Sequence, residues 1–130
     1  MAQSERVICS VGQLVDGGKA VRFETTLLDP AREMPCFAVS YGGDVYAYVN
    51  SCPHRGTELD WQPGEVFDET GLYLVCATHG ALFEPDSGLC IGGPCFGAHL
   101  RPLAIKIVGN DVVLSGNGAD LDNTNEIRES

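Results

Sequence analysis

The sequence has few histidines, few basic residues and no long apolar run. Only three histidines occur among 130 residues, and 8 Lys and Arg stand against 18 Asp and Glu, a formal net charge of −10. So acidic a chain is poorly suited to the nucleic-acid backbone, which attracts basic surfaces. Neither a membrane-spanning run of about 18 apolar residues nor a signal-like segment near the start is found. We therefore expect a cytoplasmic protein that binds neither nucleic acid nor membrane.

The sequence also lacks a sustained 3.6-residue apolar period, which argues against a helical fold. Short apolar runs instead flank turns rich in Gly, Asn and Asp, as in residues 37–49, 66–75 and 104–114. Residues 11–14 could form one helical turn. The chain is long enough for one core and too short for two ordinary domains. We expect an all-β fold, with one domain over residues 1–114 and a polar tail over residues 115–130.

Two short motifs each combine a cysteine with a histidine. Cys52 and His54 form the first motif, Cys76 and His79 form the second, and 21 residues separate them. Two thiolates and two imidazoles at this spacing can ligate a Rieske 2Fe-2S cluster, with both cysteines on one iron and both histidines on the other. These four residues are the predicted metal ligands and cofactor-binding residues, and no catalytic residue is predicted.

A structural zinc site is the alternative, because two Cys and two His also form a tetrahedral zinc set. Zinc sites of that composition usually pair Cys with Cys at one end and His with His at the other. Here each motif contains one residue of each type. The arrangement therefore favours the 2Fe-2S cluster.

The residues around the two motifs resemble the Rieske ferredoxin family, whose members supply electrons to oxygenases. The resemblance extends from about residue 7 to residue 114 and rests on the segments 50–56, 76–80, 86–88 and Gly92-Gly93-Pro94, together with Phe83. It implies an antiparallel sandwich with a cluster-binding subdomain at one tip, where two loops carry the cluster beneath a third loop. It also implies an electron carrier, not an enzyme, whose partners are a flavin-dependent reductase and a terminal oxygenase.

Four neighbouring residues indicate the branch of this family. Rieske proteins of respiratory and photosynthetic complexes carry a disulfide between cysteines at the positions of Thr57 and Thr78, and Ser and Tyr hydroxyls at the positions of Ala81 and Phe83. Hydrogen bonds from such hydroxyls to cluster sulfurs stabilise the more negative reduced state. Their loss predicts a potential near the bottom of the Rieske range, about −150 mV.

Four further cysteines are not assigned to iron. Cys9 and Cys36 lie in apolar runs and are predicted to be ordinary buried thiols. Cys90 and Cys95 flank the Gly-Gly-Pro segment, where a disulfide is conceivable if strands pair. In a reducing cytoplasm we expect instead a free Cys95 thiol close to the cluster that does not ligate it.

The segment between the two motifs is acidic. It contains no Lys or Arg after Arg55, and its acids are Glu58, Asp60, Glu65, Asp68 and Glu69. We expect them to lie near the cluster end, either simply solvated or steering a basic face of a redox partner.

Catalysis by this chain is not expected. A mononuclear facial-triad iron site needs two more histidines and a carboxylate, and His99 is the one histidine left. The sequence also lacks a glycine fingerprint for a nucleotide cofactor. A Rieske-like small subunit of a nitrite reductase-type enzyme is a second possible role.

Overall fold

The structure is a computed structural model that describes residues 6–26, 31, 33–53, 58–60, 62–77 and 80–115. Nine strands lie within these ranges. They are β1 (Arg6–Ser10), β2 (Val21–Thr25), β3 (Met34–Tyr41), β4 (Asp44–Val49), β5 (Leu74–Val75), β6 (Leu82–Phe83), β7 (Cys90–Gly92), β8 (Ile105–Val108) and β9 (Asp111–Leu114). A short 3₁₀ helix, Val11–Gln13, follows β1 at the predicted helical turn.

The described strands form three antiparallel sheets, so the all-β prediction is confirmed. The first sheet has the order β1-β9-β8, the second β2-β3-β4 and the third β5-β6-β7. The predicted hairpins correspond to β3 with β4 and to β8 with β9. None of the helical segments in the described ranges has the length and apolarity needed to cross a bilayer. Nearly all of the predicted tail lies outside these ranges.

The second sheet is buried on both faces, which explains the continuous apolar run in β3. Side chains alternate along a strand, so Cys36 and Ala38 face one core and Phe37 and Val39 face another. The first core contains Leu114 of β9 and so lies between the first and second sheets.

The second core joins the second sheet to the third sheet. Phe37 and Tyr48 pack here with Leu74 and Phe83, and all four are nearly or completely inaccessible to solvent. The Tyr48 hydroxyl donates a 2.8 Å hydrogen bond to the Pro85 carbonyl oxygen, so its one polar atom is satisfied. Burying each such side chain stabilises the fold by about 1.5–3 kcal/mol. The third sheet is thereby held firmly against the rest of the domain.

Candidate metal centre

Strand β4 delivers the first candidate loop. It ends at Val49, and the chain continues through Asn50 and Ser51 to Cys52, whose side chain is completely buried. The core around Cys52 includes Leu59, which lies beyond the loop. The predicted ligand His54 lies outside the described residues, as do Thr57 and Arg55.

Asn50 ties the two ends of this loop together. Its Oδ1 accepts a 2.7 Å hydrogen bond from the Leu59 backbone N–H, and its Nδ2 donates a 2.9 Å hydrogen bond to Asp60 Oδ1. The Asn50 side chain is almost completely buried, so its amide oxygen and nitrogen cannot form hydrogen bonds to water in place of these. The amide therefore fixes where the chain leaves and re-enters the loop around Cys52.

A buried carboxylate extends this network to the neighbouring strand. Asp60 Oδ2 accepts a 2.9 Å hydrogen bond from the Gly64 N–H and lies 3.4 Å from Arg22 Nε on β2. The same guanidinium donates a 2.6 Å hydrogen bond to Glu58. Since the Asp60 side chain is wholly inaccessible, its charge requires these partners. Asp60 thus anchors the loop.

The prediction that the acids between the two motifs lie near the cluster end is wrong for Asp68 and Glu69. Glu58 and Asp60 follow the loop but are paired with Arg22. Asp68 and Glu69 lie at the far end of the second sheet, because the Phe67 ring stacks on Tyr41 at a centroid distance of 6.3 Å. Hairpin 66–75 runs away from Cys76 before it returns. Sequence separation alone could not show this reversal.

The second candidate loop begins where β5 ends. Cys76 is completely buried, its N–H donates a 2.9 Å hydrogen bond to the Ala81 carbonyl oxygen, and its own carbonyl accepts one of 2.7 Å from Gly80. The Ala77 N–H donates a 2.9 Å hydrogen bond to the Leu59 carbonyl oxygen. This last bond joins the second loop to the end of the first. His79 and Thr78 lie outside the described residues.

The third loop, residues 93–97, packs against the second. Gly93 has a φ of +94°, and a Cβ there would lie 2.8 Å from the Ala81 Cα, so both backbone conformation and space require glycine. Pro94 and Phe96 face solvent, Phe96 with 72% of its surface exposed, whereas Cys95 is only 8% exposed. The loop thus directs one thiol inward and an aromatic ring outward.

The inward-facing thiol lies beside a second thiol. Cys95 Sγ lies 3.1 Å from Cys90 Sγ, and both pack in the core that contains Cys52. Cys90 and Cys95 are free thiols in the structure, at a separation longer than a disulfide bond of about 2.05 Å. Burial, followed by the hydrogen bond to Cys90, raises the pKa of Cys95 to about 12.

The two cysteines in the other cores are ordinary buried thiols, as predicted. Cys9 and Cys36 are both buried and free. Burial raises the pKa of both, that of Cys36 to about 12. Both therefore stay protonated and behave as small apolar side chains.

The described part of the centre fits an iron–sulfur cluster. Cys52 and Cys76 are fully buried thiols in one core, each at the start of a loop, and thiolates are the ligands that such clusters require. Ala81 and Phe83, also fully buried there, carry no polar side-chain atom. Among the described residues no group of three or more His, Cys, Asp or Glu is arranged to hold a metal, and His54 and His79 are not in that set.

Sequence inspection found the cysteines but missed the residues that position them. Arg22 lies 36 residues before Glu58 and contacts it only after β2 pairs with β3. Asn50 precedes Cys52 closely, yet a single asparagine gives no sign that its amide will close a loop. The contact between the Cys90 and Cys95 thiols likewise depends on how the third loop folds.

Three antiparallel sheets with two tied cysteine loops beneath a third loop define an iron–sulfur domain of the Rieske class. The family model for the Rieske [2Fe-2S] domain matches residues 5–108, and the chain belongs to this family. Its cofactor is a Rieske 2Fe-2S cluster. The family predicted from the two motifs is thus confirmed.

Solved structures share this fold at low sequence identity. The Sphingomonas yanoikuyae B1 ferredoxin superposes with a TM-score of 0.67 at 18% identity, covering 87% of this chain and 99% of the other. The ferredoxin of carbazole 1,9a-dioxygenase from Nocardioides aromaticivorans IC177 gives 0.64 at 19%, covering 88% and 100%. The terminal oxygenase of carbazole 1,9a-dioxygenase from Novosphingobium sp. KA1 gives 0.70 at 17%, covering 87% and 30%. No curated protein matches the sequence.

Substituting Asn50 by Ala should destabilise the first loop. The change leaves the Leu59 N–H without its acceptor and Asp60 without one donor, at a cost of roughly 1–3 kcal/mol in the free energy of unfolding. Denaturant unfolding and iron content per chain measure the effect. Asn110→Ala, in the exposed turn between β8 and β9, is the matched control and should resemble wild type. Equal stability and iron content in both variants would contradict the role assigned to Asn50.

Proposed function

We propose that the protein is a one-electron carrier that receives electrons from a flavin-dependent reductase and passes them to a terminal oxygenase. The main support is the pair of buried thiols, Cys52 and Cys76, presented by two hydrogen-bonded loops in a domain of the Rieske family. When bound, the cluster supplies a one-electron redox couple. The chain acts by holding that couple at one end of the domain, where a partner can approach.

The proposed ligands divide by chemistry. Cys52 and Cys76 would hold one iron through their thiolates, and His54 and His79 the other through neutral imidazoles. Two neutral ligands in place of two anionic ones raise the potential above that of an all-cysteine centre. The tie between Ala77 and Leu59 keeps the two cysteine loops at a fixed separation. The ligand set therefore needs little rearrangement when the redox state changes.

The oxygenase context is supported by what the structural neighbours are. They include ferredoxins of dioxygenase systems and a complex of reduced oxygenase with oxidized ferredoxin in carbazole 1,9a-dioxygenase, which superposes with a TM-score of 0.67 at 20% identity. We infer a transient contact of the same kind here. No described feature favours the nitrite reductase-type role, and a cytoplasmic location stays a prediction from the sequence.

The purified protein should contain two iron and two sulfide ions per chain and show a rhombic electron paramagnetic resonance signal after reduction. Cys52→Ser should lose most of this iron, because the replacement removes a thiolate ligand. Cys9→Ala removes a buried thiol from a separate core and should retain the wild-type iron content. Metal analysis decides the matter: a colourless protein containing one zinc ion would end the electron-carrier proposal.

The midpoint potential should lie near about −150 mV, at the bottom of the Rieske range. Ala81 and Phe83 offer no hydroxyl donor to the cluster sulfurs, although both are buried in the core that holds Cys52 and Cys76. A spectroscopic redox titration measures the potential. A value above about +100 mV would contradict the expected low-potential centre.

The third loop offers a contact surface for the partner. Phe96 exposes 72% of its surface next to the buried Cys95, which packs in the core that contains Cys52. Exposed aromatic side chains are frequent anchors at protein interfaces. We therefore assign Phe96 to docking of the oxygenase beside the cluster.

Phe96→Ala should weaken docking while leaving the cluster intact. An aromatic anchor contributes more than about 1 kcal/mol to the free energy of binding, which corresponds to a roughly fivefold or greater loss of affinity. At subsaturating concentrations of the partner, electron transfer should slow by the same factor. Stopped-flow oxidation of the reduced protein by a purified Rieske-type terminal oxygenase provides the rate. Leu72→Ala is the control, because Leu72 is also exposed (51%) but follows the turn at the far end of the second sheet. Similar rates for both variants and wild type would rule out docking through Phe96.

A further inference from the structure

Two free thiols lie side by side where the third loop joins β7. Cys90 Sγ and Cys95 Sγ are 3.1 Å apart, and each cysteine is buried and unoxidised in the structure. The sulfur atoms of a disulfide are about 2.05 Å apart, so these two need to approach by about 1 Å to form one. The pair thus has the arrangement of a reduced dithiol whose sulfur atoms are already in contact.

The backbone of the loop holds the two thiols together. The Cys90 N–H donates a 2.7 Å hydrogen bond to the Ala98 carbonyl oxygen, and the Cys90 carbonyl oxygen accepts one of 2.9 Å from the Gly97 N–H. The Ala98 N–H also donates a 2.8 Å hydrogen bond to the Cys95 carbonyl oxygen. Since the fold has already closed this short loop, a cross-link between the cysteines requires little further ordering of the chain.

The two thiols differ in their access to solvent. Cys90 is completely inaccessible, whereas Cys95 is 8% exposed and lies between two exposed residues, Pro94 and Phe96. Burial raises the pKa of Cys95 to about 12, so the closed loop keeps this thiol protonated and unreactive. A dissolved oxidant therefore reacts when the loop opens locally, and it meets Cys95 before Cys90.

We propose that Cys90 and Cys95 form a redox-active dithiol that a low-molecular-weight disulfide, such as oxidised glutathione, converts to a disulfide that locks the third loop to β7. The locked loop is the one that carries the exposed Phe96 ring. Neither cysteine is a predicted iron ligand, so this oxidation site does not depend on the electron-carrier role.

The oxidation takes place by two successive exchanges. The Cys95 sulfur, as its thiolate, attacks one sulfur of oxidised glutathione; a Cys95–glutathione bond forms, the glutathione S–S bond breaks, and one glutathione leaves as a thiolate that takes up a proton. The Cys90 sulfur then attacks the Cys95 sulfur and releases the second glutathione in the same way. Two protein thiols are oxidised, and one glutathione disulfide is reduced to two thiols.

The test is to incubate the purified wild-type protein anaerobically with excess oxidised glutathione, block the remaining thiols with an alkylating agent and map the cysteines by peptide mass spectrometry. We expect a cross-linked peptide that joins Cys90 to Cys95, and its loss when reduced glutathione is restored in excess. A wild-type protein that forms no such cross-link overturns the proposal. A cross-link that joins Cys95 to Cys52 instead also overturns it.

Single variants test the order of attack. Cys90→Ser should accumulate a glutathione adduct on Cys95, because the thiol that resolves the adduct is missing. Cys95→Ser should form neither the adduct nor the cross-link, because Cys90 is inaccessible. Cys9→Ala removes a buried thiol from a separate core and should form the cross-link at the wild-type rate. Equal adduct formation in the two serine variants would contradict the assignment of Cys95 as the attacking thiol.

Amide hydrogen exchange measures the lock on the loop. The Gly97 and Ala98 N–H groups are bonded to the carbonyl oxygens of the two cysteines, so their exchange reports opening of the loop. A cross-link across so short a loop should slow this exchange roughly tenfold or more, because it removes much of the chain entropy gained on opening. Equal exchange in the dithiol and disulfide forms would overturn the lock. A protein that forms the cross-link but carries no 2Fe-2S cluster would overturn the electron-carrier role and leave this oxidation site standing.

Discussion

The buried side chain of Asn50 is the interaction on which the candidate centre depends most. It bonds to the Leu59 N–H on one side and to Asp60 on the other, and so closes the loop that begins with Cys52. Leu59 in turn accepts the hydrogen bond from Ala77 in the second loop. The Asn50 amide therefore helps to position both cysteines, because both cysteine loops are hydrogen-bonded to the same segment, residues 59–60.

The acidic side chains of this segment, Glu58 and Asp60, stabilise the loop by pairing with Arg22. Asp60 is buried and held by Arg22, Asn50 and Gly64, a set of partners that offsets the desolvation of its carboxylate. The acidic net charge of the chain had suggested electrostatic steering at the cluster end. Instead the acids there are engaged with Arg22, and the described surface next to the centre carries an exposed aromatic ring, Phe96.

Local sequence patterns predicted much of the fold. The hairpins of β3 with β4 and β8 with β9 were predictable because turn residues separate short apolar runs, and backbone pairing across a tight turn involves neighbours in sequence. The burial of Cys9 and Cys36 followed from apolar surroundings. The course of hairpin 66–75 was not predictable, since the contact of Phe67 with Tyr41 joins segments far apart in the chain.

The sequence by itself determined the family and its 2Fe-2S cofactor, and it predicts Cys52, His54, Cys76 and His79 as the ligands, because the spacing of these residues is a local property. Only the tertiary structure decided what supports and surrounds the two cysteines. Arg22 reaches Asp60 through the pairing of β2 with β3, and Cys95 enters the core around Cys52 through the packing of Gly93 on Ala81. These contacts join segments that are far apart in the sequence. They form only when the sheets pack together, so residue types and spacings alone do not predict them.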